Sequence, residues 1–279
     1  MTLVKTDSDP QTGKRPTIAL LGEFSAGKST LANVLLGAGQ STVRVTATQA
    51  PPIWYVSGTG APVRIGTDGS ETELEAAGMD NIDLQDTCAV RMPVQAAFLE
   101  HFTIIDMPGS ADPNMSPDIW DALLPLADIA VWCTPATQAW RQSEAAIWDM
   151  VPDTLRAHSV LVVTRMDKVT GATDRRRIID RVERETRGLF RAVLPVSLLE
   201  VSKPIDQCEA SGMGAVLRTL AGAMIPSPVQ SCASLPQTAP PPSVSKKEGP
   251  KIIPRRVSAQ PLPPKLRIVR RPKPQETLT

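Results

Sequence analysis

The sequence predicts an α/β domain of three layers, a mostly parallel sheet with helices on both faces, followed by a disordered tail. Three observations predict it. Apolar, strand-like runs alternate with segments of helical length, the order that builds parallel sheets. Several of those runs, residues 17–21, 127–133 and 158–164, are apolar on both faces and so need cover on both. Residues 22–30, G-x-x-x-x-G-K-S-T between a strand and a helix, have the spacing of a phosphate-binding loop.

The elements follow in order. Residues 1–15 are polar, read as a flexible arm, and lack the apolar centre of a signal peptide. The first strand leads into Gly22, Glu23, Phe24, Ser25, Ala26, Gly27, Lys28, Ser29 and Thr30. The two glycines allow backbone angles and close approaches that a side chain would block. Consecutive N–H groups then point at one spot, at the positive end of the helix over 31–36. Lys28 is placed to reach β- and γ-phosphates, and the Ser29 hydroxyl to join a Mg2+ shell. Residues 37–50 carry no strong period and read as a mobile loop. Strands are expected at 51–57, 61–66 and 90–94, with a turn at Asp68-Gly69 and a helix over 70–78. Residues 101–106 form an apolar run ending in a carboxylate. Helix 118–126, strand 127–133 and helix 143–151 come next, the last with an apolar stripe at Ala146, Ile147 and Met150. Strand 158–164, a charged helix over 174–187, strand 192–196 and a closing helix over 212–224 complete the domain.

Further motifs stand where strands end, the place where nucleotide-binding sheets hold their ligands. Asp106-Met107-Pro108-Gly109 places a carboxylate to hold Mg2+ through water and the Gly109 N–H to meet a γ-phosphate. Thr164-Arg165-Met166-Asp167 ends another buried strand. Asp167 there can accept from the N1–H and 2-amino edge of guanine, a donor pair that adenine lacks. The Arg165 stem and head would lie against the base. Ser197 and its neighbours would close over the base with backbone N–H groups. In the loop 45–50, Thr48 is expected to reach Mg2+ and the γ-phosphate, with Thr46 as the alternative.

Taken in this order, the residues look like the five motifs of a GTPase. The run from Leu21 to Gly37 resembles the phosphate loop of bacterial dynamin-like GTPases, as do the long interval from Ser29 to Asp106 and the approach over 98–109. The resemblance covers about residues 16–224. It implies a P-loop GTPase domain that takes GTP and Mg2+ and hydrolyses the γ-phosphate. Lys28, Ser25 and Thr48 would be catalytic, and Ser29, Thr48 and Asp106 would surround the metal. Ser25 matches the family serine that helps hold a charge-compensating cation. The family also implies dimerisation across the nucleotide face, with a second copy or a dynamin-like partner.

The sequence departs from the family pattern in places. Arg165 stands where lysine is usual, and Thr48-Gln49 where the threonine pairing differs. Phe24 and Ser110 occupy positions where other GTPases place a water-orienting glutamine, so turnover is expected to be slow. The chain is expected to turn disordered where a helical stalk would begin, so membrane remodelling is not carried over. Two alternatives stand: a nucleotide-dependent switch that docks a protein partner with negligible hydrolysis, and, if Arg165 marks a changed base pocket, an ATPase.

Composition divides the chain. Of 279 residues 42% are hydrophobic and the net charge is +1. Residues 226–279 hold thirteen prolines and a charge of about +8, which leaves the rest at about −7. The domain is therefore expected over 16–225 and a disordered, proline-rich, basic tail over 226–279. The tail suits peripheral contact with anionic lipid or a protein partner, Pro261-Leu262-Pro263-Pro264 offering P-x-x-P spacing. Nucleic acid is a third alternative for it, bound without sequence preference; no specific nucleic-acid contact is expected. Cys88, Cys133, Cys208 and Cys232 form no C-x-x-C pair and read as reduced thiols of a cytoplasmic protein. His101 and His158 read as structural. The tryptophans read as core, Trp140 excepted, which sits in a polar stretch that would be exposed.

Overall fold

A strand apolar on both faces belongs in the middle of a sheet, and β1 (Thr17–Leu21) is there with all five residues buried. It pairs in parallel with β6 (Thr103–Asp106) on one side and β7 (Ile129–Pro135) on the other. β8 (Val160–Thr164) and β9 (Val193–Pro195) extend the parallel half beyond β7. Beyond β6 lies β2 (Ile53–Ser57), antiparallel to it, then β5 (Thr87–Val94), parallel to β2. β3 (Val63–Gly66) and β4 (Glu71–Glu73) close that edge as an antiparallel pair. The sheet has nine strands in the order β4-β3-β5-β2-β6-β1-β7-β8-β9. The computed structural model describes residues 15–37, 51–75, 82–110, 117–199 and 210–223.

Side chains of β1 alternate between two cores. Ile18 and Leu20 pack with Leu31 and Leu35 of α1 (Lys28–Leu35) and with Val216 and Leu220 of α6 (Met213–Ala223). Ala19 and Leu21 face the other side. There Leu123 of α2 (Pro117–Leu123), Trp148 of α3 (Gln142–Trp148), Leu155 of α4 (Asp153–Arg156) and Val182 of α5 (Ala172–Glu185) cover the sheet. Each fully buried side chain of this size contributes about 1.5–3 kcal/mol. The three-layer α/β fold read from the sequence is the fold observed.

Three local expectations are corrected. The helix expected over 70–78 begins instead as β4. Gly69 turns the chain at φ +86°, and Asp68 Oδ1 accepts from Ser70 N and Oγ at 2.9 and 2.6 Å. That turn sets Glu73 opposite Val63, where ladder pairing with β3 outweighs the local helix preference of the glutamates. Of the apolar stripe expected on α3, Ile147 packs half-buried against the core, while Ala146 is exposed. The helix ends at Trp148, Met150 is exposed, and the buried positions are Glu144 and Trp148. Trp140 is buried, edge-on to Trp132 at 6.2 Å and to Phe190 at 5.3 Å between ring centroids. Burial of an aromatic ring outweighs the polarity of its neighbours in sequence. Cys88 and Cys133 are free and buried. Among the described residues no helix is long and apolar enough to cross a membrane. Residues 1–14 of the arm, the loop over 38–50, Cys208, Cys232 and the tail from 226 lie outside the described residues.

Candidate functional site

β1, β6, β7 and β8 run parallel, so their C-terminal ends share one edge, and each delivers a loop there. Gly22 leaves β1 at φ +134°. A Cβ there would stand 2.2 Å from the Cys133 carbonyl oxygen, so only glycine lets this turn lie against β7. Gly27 opens α1 at φ +96°, and a Cβ there would come within 3.3 Å of Thr164 Oγ1. Between them Ser25 also takes a left-handed conformation, and Ala26 N donates to Glu23 O at 3.2 Å. No side chain caps α1, which leaves the N–H groups of its first turn facing the loop.

Lys28 is buried in this loop. Its Nζ donates to Gly22 O at 3.0 Å and Glu23 O at 2.8 Å. An ammonium has three donors, so two are committed to shaping the loop. Burial lowers the Lys28 pKa, against the pull of Asp106 and Cys133. Asp106 ends β6 with 9% of its surface exposed. The Ser29 hydroxyl donates to its carboxylate, yet Oδ1 has no partner among the described residues. Burial pushes the Asp106 carboxyl up to about 6, opposed by Ser29 and Lys28. An orphaned buried carboxylate oxygen beside a serine hydroxyl is a hard-oxygen set, so these residues fit Mg2+.

The segment after Asp106 lies directly on the phosphate loop. A Cβ on Gly109 would come 2.7 Å from Phe24 N, and Ser110 N donates to Gly22 O at 3.2 Å. Phe24 itself is 64% exposed. From β8, the buried Thr164 hydroxyl donates to Ala26 O at 2.7 Å, which pins the loop from beneath. Arg165 is left-handed at φ +57° and its guanidinium donates to Ser25 O at 2.6 Å, so its head rests on the phosphate loop. Asp167 follows in a 3-10 turn, its side chain 15% exposed and 3.8 Å from Lys168 Nζ. Met166 N donates to Val196 O at 3.2 Å, which brings the turn after β8 beside the end of β9. Ser197 is buried there. Its N–H, expected over a base, is donated to Ser211 O at 2.9 Å. Gly22 to Thr30, Asp106, Gly109, Thr164, Arg165, Asp167 and Ser197 therefore share one edge. Thr48 and its alternative Thr46 lie outside the described residues. His101 and His158 are exposed and precede β6 and β8, so they stand before the strands whose far ends carry the motifs.

Residues that the sequence reading passed over support this edge. Glu23 forms an ion pair with Arg141 and accepts from Ser143 Oγ at 2.6 Å. Arg141 N donates to Glu144 Oε2 at 2.9 Å, and Glu144 is anchored by Trp132 Nε1 and Thr134 Oγ1, both at 3.0 Å. The signal was half a capping box, a glutamate three residues after the helix cap reaching back to the cap N–H. It was hidden because the cap is Arg141 rather than serine or threonine.

No family model matches the chain. The sequence is similar to GTPase Era of Aquifex aeolicus, 23% identical over 190 residues, which span 66% of this chain and 51% of Era. The structure is similar to a bacterial dynamin solved as one of an oligomerised pair that senses and tethers membranes. The TM-score is 0.54 at 18% identity, over 75% of this chain and 34% of that one. The chain thus spans about half of its curated relative and a third of the dynamin. No GTPase subfamily is singled out by these likenesses, and what they share with the edge just described is the fold: this chain is folded as a P-loop GTPase domain.

Proposed function

We propose that the protein binds GTP at the edge formed by the loops after β1, β6 and β8 and hydrolyses its γ-phosphate. One observation carries the reading: Asp106 keeps an unpartnered buried oxygen beside Ser29 and Lys28, next to the start of α1, which no side chain caps. Ser29 and Asp106 would hold Mg2+, which supplies charge neutralisation on the phosphates when bound. Lys28 and the loop N–H groups hold the phosphate oxygens and favour the charge that builds as the γ-phosphoryl group leaves GDP for water. Asp167 reads guanine, since adenine would leave its carboxylate desolvated and unpaired. Ser25 would hold a charge-compensating cation and Thr48 would place the water through its carbonyl, as the dynamin-like resemblance implies. Phe24 and Ser110 offer no amide side chain to orient that water, so turnover of the isolated protein is slow. Pairing of two domains across the nucleotide face would raise it. The protein would act in the cytoplasm, its basic tail available for an anionic membrane or a protein partner.

The second reading is a switch that binds GTP without appreciable hydrolysis, and it is favoured by the exposed Phe24 at the loop tip. Calorimetry with GTP and ATP in Mg2+ tests the first step. GTP binding on the order of micromolar, weaker by at least about a hundredfold for Lys28→Ala and absent for ATP, is the expected result. Wild-type protein that binds neither nucleotide would overturn it. Turnover that rises with protein concentration supports the self-activated enzyme, and a flat rate near zero with tight binding supports the switch.

A further inference from the structure

We propose that Arg141 and Ser143 form a charge-compensating clasp that lets a carboxylate, Glu23, stand inside a loop built for polyanions. The inference rests on the nucleotide-binding reading above. A carboxylate in a phosphate loop is a liability, because it opposes Lys28 and repels the ligand. Here both of its oxygens are engaged. The Arg141 guanidinium pairs with Oε2, and the Ser143 hydroxyl donates to Oε1 at 2.6 Å. Glu23 is nearly buried, and its backbone is just as occupied. Its carbonyl accepts from Lys28 at 2.8 Å, and a Cβ on Gly109 would press on its carbonyl carbon at 3.2 Å.

Arg141 does not arrive there by chance rotation of a surface side chain. Its backbone N–H is fixed on Glu144 at 2.9 Å, and Glu144 is fixed on Trp132 and Thr134 of β7. The clasp therefore joins the start of α3 to the loop after β1 across a sequence separation of 120 residues for Ser143. Arg141 is a positioning residue: it acts on nucleotide through Glu23, by turning a negative charge into a pair without net charge. Two consequences separate this from a merely structural role. Removing Arg141 harms GTP more than GDP, because the uncovered carboxylate meets the larger ligand charge. Removing the carboxylate as well restores binding.

Full-length Arg141→Gln, Arg141→Lys, Glu23→Gln and the double variant R141Q/E23Q are titrated with GTP and GDP in Mg2+, and unfolded in urea without nucleotide. Arg141→Gln is expected to weaken GTP binding about tenfold, the scale of a lost charge-assisted contact, with a smaller loss for GDP. That loss shrinks at high salt, where the exposed carboxylate is screened. Arg141→Lys keeps most of the affinity, Glu23→Gln completes the cycle as the background in which Arg141 has no carboxylate to cover, and the double variant binds GTP more tightly than Arg141→Gln, to within about threefold of Glu23→Gln. In urea, Arg141→Gln is less stable than the double variant. A double variant as weak as Arg141→Gln, equal losses for GTP and GDP, or an Arg141→Gln protein identical to wild type would each overturn the clasp. Wild-type protein without GTP affinity would overturn the nucleotide reading, and this inference with it. Wild-type binding with unresponsive variants would overturn the clasp alone.

Discussion

Two buried carboxylates flank the phosphate loop, and they are treated in opposite ways. Glu144, on the α3 side, is wholly buried and accepts from Trp132 Nε1, Thr134 Oγ1 and Arg141 N. Asp106, at the end of β6, has the Ser29 hydroxyl on its carboxylate and an Oδ1 with no partner among the described residues. A buried charge is tolerated when its lone pairs are filled and costly when they are not. Glu144 therefore reads as a rivet. Asp106 keeps an acceptor open, and burial raises its pKa to about 6.

The comparison can be broken at its common root. Gly22 lets the loop after β1 settle against Cys133 of β7, the strand whose Trp132 and Thr134 hold Glu144, and Ser29 of the helix that follows the same loop donates to Asp106. Gly22→Ala would put a Cβ 2.2 Å from the Cys133 carbonyl oxygen at φ +134°, and is expected to cost about 3 kcal/mol or more of stability, read by urea unfolding. The rivet is tested next. Glu144→Ala leaves two buried donors and the half-buried Arg141 N–H without their acceptor and should cost about 3 kcal/mol, with a change in Trp132 fluorescence. An unchanged midpoint would remove Glu144 from the structural role.

Asp106→Asn is expected to have the smallest effect on stability, and its sign depends on pH. Because the folded-state pKa lies above the ordinary 3.8, the carboxyl contributes most at low pH and its contribution is lost as pH rises through about 6. The difference in metal-free stability between wild type and Asp106→Asn should therefore shrink or reverse from pH 4 to pH 8, with no loss for the variant above pH 6. The variant should also lose whatever stabilisation Mg2+ and nucleotide confer on wild type. A variant that is uniformly less stable at every pH would make Asp106 a second rivet and erase the contrast.

Much of the site was legible because its signals are local. The glycines at 22 and 27, the lysine and the serine must fall at fixed intervals for one turn to present its N–H groups, so the loop is written in consecutive residues. Asp106, Gly109 and Asp167 were legible for a related reason. Each follows an apolar run, and parallel strands carry their ends to one edge. The helix expected over 70–78 failed because the hairpin turn at Asp68-Gly69 captured Glu71–Glu73 into a ladder with β3, against the helix preference of the two glutamates. The α3 stripe failed because the buried face is a glutamate and a tryptophan, and the glutamate looks solvent-facing until its three donors are known.

The sequence by itself determined the order of strands and helices apart from β4, the phosphate loop and the edge of the sheet where chemistry would gather, since each depends on neighbours within a few residues. Tertiary structure decided which polar groups are satisfied. Arg141 and Ser143 reach Glu23, Thr164 reaches Ala26 and Glu144 reaches Trp132 only after the sheet has closed. Whether a carboxylate is a rivet, a clasp partner or an open site depends on donors brought from distant strands, and no spacing along the chain encodes that.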